Sequence, residues 1–111
     1  MPVLAERLQR VAAMAELDGS DLARVLEANP RTVARWLNQE VEPRAQARER
    51  LLEVIAVLEH LSKTLKPGAA HDWLFTPNPA LEYYKPVDLL RRGDFRRVLG
   101  AIDALAEGVF V

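Results

Sequence analysis

The sequence has no cysteine, few aromatic residues and no long apolar run. The absence of cysteine excludes disulfides, thiolate metal ligands and cysteine nucleophiles, and it suits a reducing compartment. No apolar stretch approaches the ~18 residues that a membrane-spanning helix needs, and no apolar segment follows a basic start as in a signal peptide. We therefore expect a cytoplasmic protein with no membrane association.

An excess of charge of either sign is also missing. The formal net charge is −1, and residues 1–66 hold ten basic and ten acidic side chains. This balance excludes a protein that coats nucleic acid, although it leaves room for a small basic patch. With 111 residues, half of them hydrophobic, the chain is long enough for one domain or two very small ones.

Signatures of catalysis are absent as well. His60 and His71 have no second ligand at the spacing of a helical metal site. Ser20 and Ser62 lie in no nucleophile motif, and there is no glycine-rich phosphate loop. We expect neither an enzyme nor a protein that holds a metal or another cofactor.

Helical periodicity is what the first half contains. Apolar residues recur every three to four positions over residues 3–17, which predicts an amphipathic helix. Ser20 or Asp21 is expected to cap a second helix, "DLARVLEA". Asn29-Pro30 then predicts the start of a third, "RTVARWLNQ", because asparagine is a good N-cap and proline suits the first helical position.

A longer helix is predicted from Pro43 to about Leu65, roughly 35 Å in length. "KPGAA" at 66–70 is the predicted domain boundary. A short helix around 72–75, a proline turn, a helix opened by Pro86 and a last helix after Asp94 follow. No segment alternates convincingly between apolar and polar residues, so the predicted class is all-α.

The second and third helices have the pattern of a helix-turn-helix. Their apolar residues can close a small core, which leaves three polar residues spaced i, i+4 and i+7 on the opposite face. Arginine and asparagine are the side chains that read guanine and adenine edges in a major groove. The pattern resembles the helix-turn-helix of Xre-type regulators, and the predicted DNA-binding residues are Arg31, Arg35 and Asn38.

Two features qualify this interpretation. Glu27 stands where that family usually has glycine in the turn, and the arginines could simply form the solvated face of a helical hairpin. With balanced charge, one copy should bind DNA weakly and depend on a second copy. The apolar stripe of the fourth helix could pair two copies, or it could pack across both halves of its own chain.

The second half carries a further resemblance. "WLFTPNPAL", "KPVDLL" and "GDFRRVLGAIDALAEGVFV" follow one another in order. Together they resemble the toxin-binding C-terminal domain of Xre/ParS-type, MbcA-like antitoxins. The departure is "EYYKP" at 82–86, where the family usually has "GG-x-x-P". We therefore predict a helix-turn-helix bundle with a long connecting helix over 1–66 and a small helical toxin-binding domain over 67–111.

The resemblance implies a type II toxin-antitoxin function. Such antitoxins bind a RES-domain toxin that consumes NAD, cover its active site with their C-terminal region and repress their own operon. Expected partners are the cognate toxin, operator DNA and a second antitoxin copy within a hetero-oligomer. The expected toxin-binding residues are Tyr83, Tyr84, Arg91, Arg92, Glu107, Gly108, Val109, Phe110 and Val111.

The residues themselves are compatible with this role. Adjacent tyrosines cannot both face one core from a regular helix, and tyrosine is favoured at interfaces. Trp73, by contrast, is predicted to pack inside. The C-terminal apolar tail could dock back on its own domain, and the arginines could be solvated. Two other functions remain open: a stand-alone transcriptional regulator whose second half only dimerises, and a plain helical adaptor.

Overall fold

Every regular element within residues 3–108, the part of the chain that the computed structural model describes, is helical. The predicted all-α class is therefore confirmed. A single 3-10 turn, Pro79–Leu81, lies between the fifth and sixth helices. The helices are α1 Val3–Met14, α2 Gly19–Leu26, α3 Pro30–Leu37, α4 Ala45–Ser62, α5 Pro67–Phe75, α6 Pro86–Arg91 and α7 Phe95–Ala106.

The helix starts follow side-chain capping, with one correction. Asn29 caps α3 as predicted, since its Oδ1 accepts from the Arg31 N–H at 2.8 Å. The predicted cap of α2 at Ser20 or Asp21 is wrong, because Asp18 occupies that position. Its Oδ1 accepts from the Asp21 N–H at 2.8 Å, while Asp21 Oδ2 accepts from the Asp18 N–H at 3.1 Å. This reciprocal pair satisfies two otherwise unpaired donors at the helix end.

The fourth helix is shorter than predicted. It contains 18 residues, which corresponds to about 27 Å. α4 ends at Ser62, and Lys66, which precedes Pro67, has the extended backbone expected of a residue before proline. Pro67, inside the predicted boundary at 66–70, is the first residue of α5. The short helix predicted at 72–75 is therefore only the end of a longer helix.

The apolar stripe of α4 is buried within its own chain. α4 packs against α1 on one side and α7 on the other. Polar contacts join the same helices: Arg7 Nη2 donates to Glu59 Oε1 at 3.0 Å, and His60 Nε2 lies 2.7 Å from Asp103 Oδ1. Of the two roles considered for this stripe, the structure supports packing across both halves. The fully buried residues of α4 are Leu51, Val54, Ile55, Val57, Leu58 and Leu61.

Both halves of the chain contribute to one apolar core. Besides α4 against α7, the halves meet where α2 packs against α6, with Val25 and Leu26 on one helix and Val87 and Leu90 on the other all buried. Burying each such side chain is worth about 1.5–3 kcal/mol. The division at residue 66 stays a prediction, and any two domains drawn there share a core.

Candidate functional site

The exposed face of α3 holds the predicted DNA-binding residues. Arg31 and Arg35 are exposed one turn apart on α3, and Asn38 is exposed just beyond its end as the C-cap. The opposite side is closed by the buried Val33 and the half-buried Trp36. The three polar residues are therefore accessible to a partner, as their spacing predicts.

The turn before α3 keeps its tight geometry despite having no glycine. Glu27 lies in the left-handed region with φ 51° and ψ 47°. The Ala28 N–H donates back to the Ala23 carbonyl at 2.9 Å, the long bond of a Schellman cap. A glutamate thus adopts the conformation that glycine favours, and its Oε2 lies 3.7 Å from Arg50 Nη2.

The loop between α5 and α6 contains two more residues other than glycine with a left-handed backbone. Glu82 and Tyr83, at the two positions where the resembling family has glycines, have φ 55° and 68°. Asn78 holds the loop closed, since its N–H donates to the Tyr84 carbonyl at 3.1 Å and its carbonyl accepts from the Tyr83 N–H at 2.9 Å. The loop therefore keeps a backbone suited to two glycines while it presents two large side chains.

Tyr84 is the centre of a cationic and aromatic cluster. The guanidinium carbon of Arg92 lies 4.9 Å from the centre of its ring, and that of Arg97 lies 5.8 Å away. These are distances at which cation–π attraction operates. Next to them, Tyr83 is 70% exposed. We call these four residues the Tyr84 cluster: Tyr83, Tyr84, Arg92 and Arg97.

Arg97, one of four neighbouring arginines whose sequence position would allow them to face the toxin, joins this cluster although it is not among the expected toxin-binding residues. Its guanidinium lies 3.5 Å from Glu82 Oε1 and 3.6 Å from Asp94 Oδ2. These pairs hold the start of α7 against the loop. Four arginines stand close together in the sequence here, but spacing alone does not reveal which of them stack on Tyr84.

Arg91 does not join the Tyr84 cluster, although the sequence prediction grouped it with Arg92. It lines a hollow beside α2 and the start of α3, together with Ser20 and Pro30. Adjacent residues at a helix end point in directions about 100° apart, which follows from 3.6 residues per turn. The two arginines are thus separated onto different surfaces.

The apolar stretch around Trp73 mainly serves packing. Leu74 and Leu81 are buried, and Trp73 is half-buried against the core, in agreement with the predicted structural role. Phe75 stacks on His71 with ring centres 4.7 Å apart and lies 5.5 Å from the guanidinium carbon of Arg24. The stretch supports the loop that presents the tyrosines.

The chain end is described only in part. α7 ends at Ala106, Gly108 follows with φ +75°, and both Glu107 and Gly108 are exposed. The other tail residues predicted to bind the toxin, Val109, Phe110 and Val111, lie outside the described residues. Their proposed role stays a prediction.

Between residues 3 and 108, no three histidine or carboxylate side chains are grouped closely enough to hold a metal ion. In the same range, no helix combines the length and the apolar character needed to cross a bilayer.

Comparison with known proteins agrees with these features. The antitoxin Xre/MbcA/ParS C-terminal toxin-binding domain matches residues 64–108. The mycobacterial cidal antitoxins MbcA of Mycobacterium tuberculosis and Mycobacterium bovis are each 40% identical over 109 residues, which cover 98% of this chain and 96% of theirs. The crystal structure of the M. tuberculosis MbcT-MbcA toxin-antitoxin complex contains a chain that superposes with a TM-score of 0.87 at 40% identity, covering 98% of both chains. The resemblance to MbcA-like antitoxins is confirmed.

Proposed function

The chain belongs to the family of the MbcA antitoxins, and on that premise we propose that it neutralises a RES-domain, NAD-consuming toxin. The Tyr84 cluster is the observation that carries the proposal. It lies inside the matched toxin-binding region and combines exposed tyrosine with arginine, the residue types that dominate binding energy at protein interfaces. An exposed Tyr83 contributes nothing to the apolar core, whereas an exposed tyrosine is a residue type enriched at binding hot spots.

The cluster also fits a partner of defined charge. After position 66 every lysine and arginine falls between 85 and 97: Lys85, Arg92, Arg96 and Arg97, together with Arg91, which lies on the separate surface beside α2. Arg97 is neutralised by Glu82 and Asp94, whereas within residues 3–108 neither Arg92 nor Arg96 has a carboxylate within 4.0 Å. The surface around Tyr84 is therefore suited to an acidic patch on the toxin.

The C-terminal tail is proposed to complete the inhibition. Glu107 and Gly108, which follow α7, are exposed. The three residues after them in the sequence, Val109, Phe110 and Val111, are all apolar. Each of these apolar side chains contributes about 1.5–3 kcal/mol if a partner buries it, before ordering costs. Insertion of this segment at the NAD pocket of the toxin would block catalysis directly.

Co-expression with the neighbouring toxin gene tests both elements. Tyr84→Ala, Arg92→Ala and a chain that lacks residues 107–111 are expected to lose protection, seen as falling cellular NAD and arrested growth. Arg10→Ala, an exposed arginine on α1, is the matched control and should protect fully. If all three altered chains protect as well as the unaltered one, the proposed toxin surface is wrong.

The helix-turn-helix is proposed to bind operator DNA through Arg31, Arg35 and Asn38 and so to regulate the operon. Because residues 1–66 carry no net charge, one copy should bind weakly, and a hetero-oligomer of toxin with paired antitoxins would provide the second contact. Arg31→Ala or Arg35→Ala should cost roughly 1–3 kcal/mol of operator affinity. Unchanged binding in both variants would remove α3 from DNA recognition.

A further inference from the structure

Arg91 stands at the junction of the two halves. It is the last residue of α6, yet its side chain lines a hollow formed by α2 and the start of α3, with Ser20, Ala23 and Pro30 on the other wall. Arg50 Nη2 donates to the carbonyl oxygen of Arg91 and to the carbonyl oxygen of Leu90, the latter at 3.0 Å. These bonds tie the end of α6 to α4, and the packing of α6 on α2 places Arg91 beside the helix-turn-helix.

The acidic groups around this hollow are already paired with other arginines. Asp88 Oδ1 lies 3.1 Å from Arg24 Nη2 but 3.9 Å from Arg91 Nη1. Glu27 Oε2 is turned towards Arg50 at 3.7 Å. The positive charge of Arg91 is consequently only weakly compensated within its own chain.

The recognition helix adds to the positive charge of this surface. Arg31 and Arg35 are exposed on α3, and within residues 3–108 no carboxylate lies within 4.0 Å of either. Pro30, which opens α3, also lines the hollow that holds Arg91. Phosphates flank the groove that a recognition helix enters, and arginine is well suited to bind them. Arg91 therefore continues the basic surface of α3 towards the position of the DNA backbone.

We propose that Arg91 is a DNA-backbone contact: it binds a phosphate of the operator beside the recognition helix, although it belongs to the toxin-binding segment. This inference rests on the proposed DNA binding and extends it to a residue outside the helix-turn-helix. Arg91 and Arg92 are then divided by function, since the first serves DNA and the second, stacked on Tyr84, serves the toxin. The junction of α2 and α6 determines that division.

The test uses the full-length chain, alone and in complex with its cognate toxin, and a duplex spanning the DNA directly upstream of its coding sequence. Operator affinity is measured between 50 and 200 mM salt for the unaltered chain, Arg91→Ala, Arg91→Lys and Arg92→Ala. Loss of one phosphate contact lowers the salt slope by about 0.9, so the affinity of Arg91→Ala should fall about 3.5-fold less across this range than that of the unaltered chain. Arg91→Lys should retain most of the slope, and Arg92→Ala should leave it unchanged.

Toxin neutralisation is measured on the same variants. Arg91→Ala should protect cells fully, while Arg92→Ala should not. The assignment is overturned if Arg91→Ala binds DNA with the same salt slope as the unaltered chain, or if Arg91→Ala loses neutralisation and keeps DNA binding. A different result, no operator binding by the unaltered chain either alone or with its toxin at any salt concentration, would overturn DNA binding itself and leave the antitoxin proposal standing.

Asp88→Asn is an independent variant that should change operator affinity in the opposite direction to Arg91→Ala. It removes the carboxylate that lies between Arg24 and Arg91 and therefore should raise operator affinity. A drop in affinity with an unchanged melting temperature would contradict the proposed position of the phosphate.

Discussion

The two halves of the molecule form their candidate surfaces in different ways. In the first, one short helix supplies the polar face, and Arg31 and Arg35 share that face because helical periodicity places them there. In the second, three elements are needed for one cluster: the loop at 82–84, the end of α6 and the start of α7. A surface formed by one helix can be read from spacing, whereas a surface formed by several elements exists only once the chain has folded.

The halves nevertheless share one device. In each, a residue other than glycine occupies a left-handed position next to the candidate surface: Glu27 before α3, and Glu82 and Tyr83 beside Tyr84. Such a residue costs about 1–2 kcal/mol relative to an unstrained backbone. The strained residue Tyr83 presents an exposed aromatic side chain. The strained residue Glu27 makes only an ion-pair contact of 3.7 Å with Arg50.

The largest predicted effect tests whether the halves fold as one body. Leu90 is fully buried on α6, so Leu90→Ala should cost about 2–5 kcal/mol of unfolding free energy. The chain has one tryptophan in each half, Trp36 and Trp73, so Trp36→Phe and Trp73→Phe backgrounds report each half by fluorescence.

Because the core is continuous, both reporters should shift together in urea. Leu52→Ala, at a leucine that is 37% exposed, is the matched control and should have a much smaller effect. Two separate transitions, with only the Trp73 signal displaced by Leu90→Ala, would show that the halves unfold independently.

The next effect concerns the first half alone. Asn29→Ala removes the acceptor of the 2.8 Å hydrogen bond from Arg31 N–H, which should cost about 0.5–2 kcal/mol of unfolding free energy. Urea denaturation measures it, and Asn29→Asp serves as the control because aspartate caps equally well. Operator affinity should fall with the alanine variant, since the cap orients Arg31. Equal stability of the two variants would mean that the cap is not needed for α3.

A smaller effect compares the strained positions of the two halves. Glu27→Gly and Tyr83→Gly should each raise the unfolding free energy by about 1 kcal/mol, because glycine accepts φ values above zero without a steric penalty. Glu27→Ala and Tyr83→Ala keep the strain and are the controls for the lost side chain. Only the Tyr83 substitutions should weaken toxin binding, as measured by calorimetry. If Tyr83→Gly binds the toxin normally, this exposed tyrosine has no binding role.

The smallest effect is expected for the ion pair between the halves. Arg24 and Asp88 are both more than 30% exposed, so their coupling should be at most about 1 kcal/mol. A double-mutant cycle with Arg24→Ala and Asp88→Ala measures it through urea denaturation. A coupling several times larger would mean that this pair, more than the apolar contact of α2 with α6, holds the halves together.

What could be predicted from the sequence depended on how local the determinant was. Asn29-Pro30 and Pro86 marked helix starts correctly, because capping involves residues that are neighbours in the chain. Pro67 was interpreted as a terminator although it opens α5, since proline is compatible with both roles. The cap of α2 is Asp18 and not the predicted Ser20 or Asp21. All three residue types are common N-caps, and only the reciprocal hydrogen bonds between Asp18 and Asp21 identify Asp18 as the cap.

The candidate sites show the same limit. Arg31 and Arg35 followed from periodicity alone, whereas the stacking of Arg97 on Tyr84 depends on a loop closed by Asn78. The separation of Arg91 from Arg92 had a signal in the sequence, since the two are adjacent at a helix end and must point in different directions. The surface that each arginine joins depends on the packing of α6 on α2. These helices are distant in sequence: Arg24 and Asp88, which are in contact, lie 64 positions apart.

The central claim is that one compact helical chain presents a toxin-binding surface and a separate DNA-binding surface. The direct measurement is cellular NAD in cells that co-express the cognate toxin with either of two double variants, Tyr84→Ala/Arg92→Ala or Arg31→Ala/Arg35→Ala. The toxin-surface variant should fail to preserve NAD, and the recognition-helix variant should preserve it as fully as the unaltered chain. Preserved NAD with the first variant, or NAD loss with the second, would contradict the division of the molecule into these two surfaces.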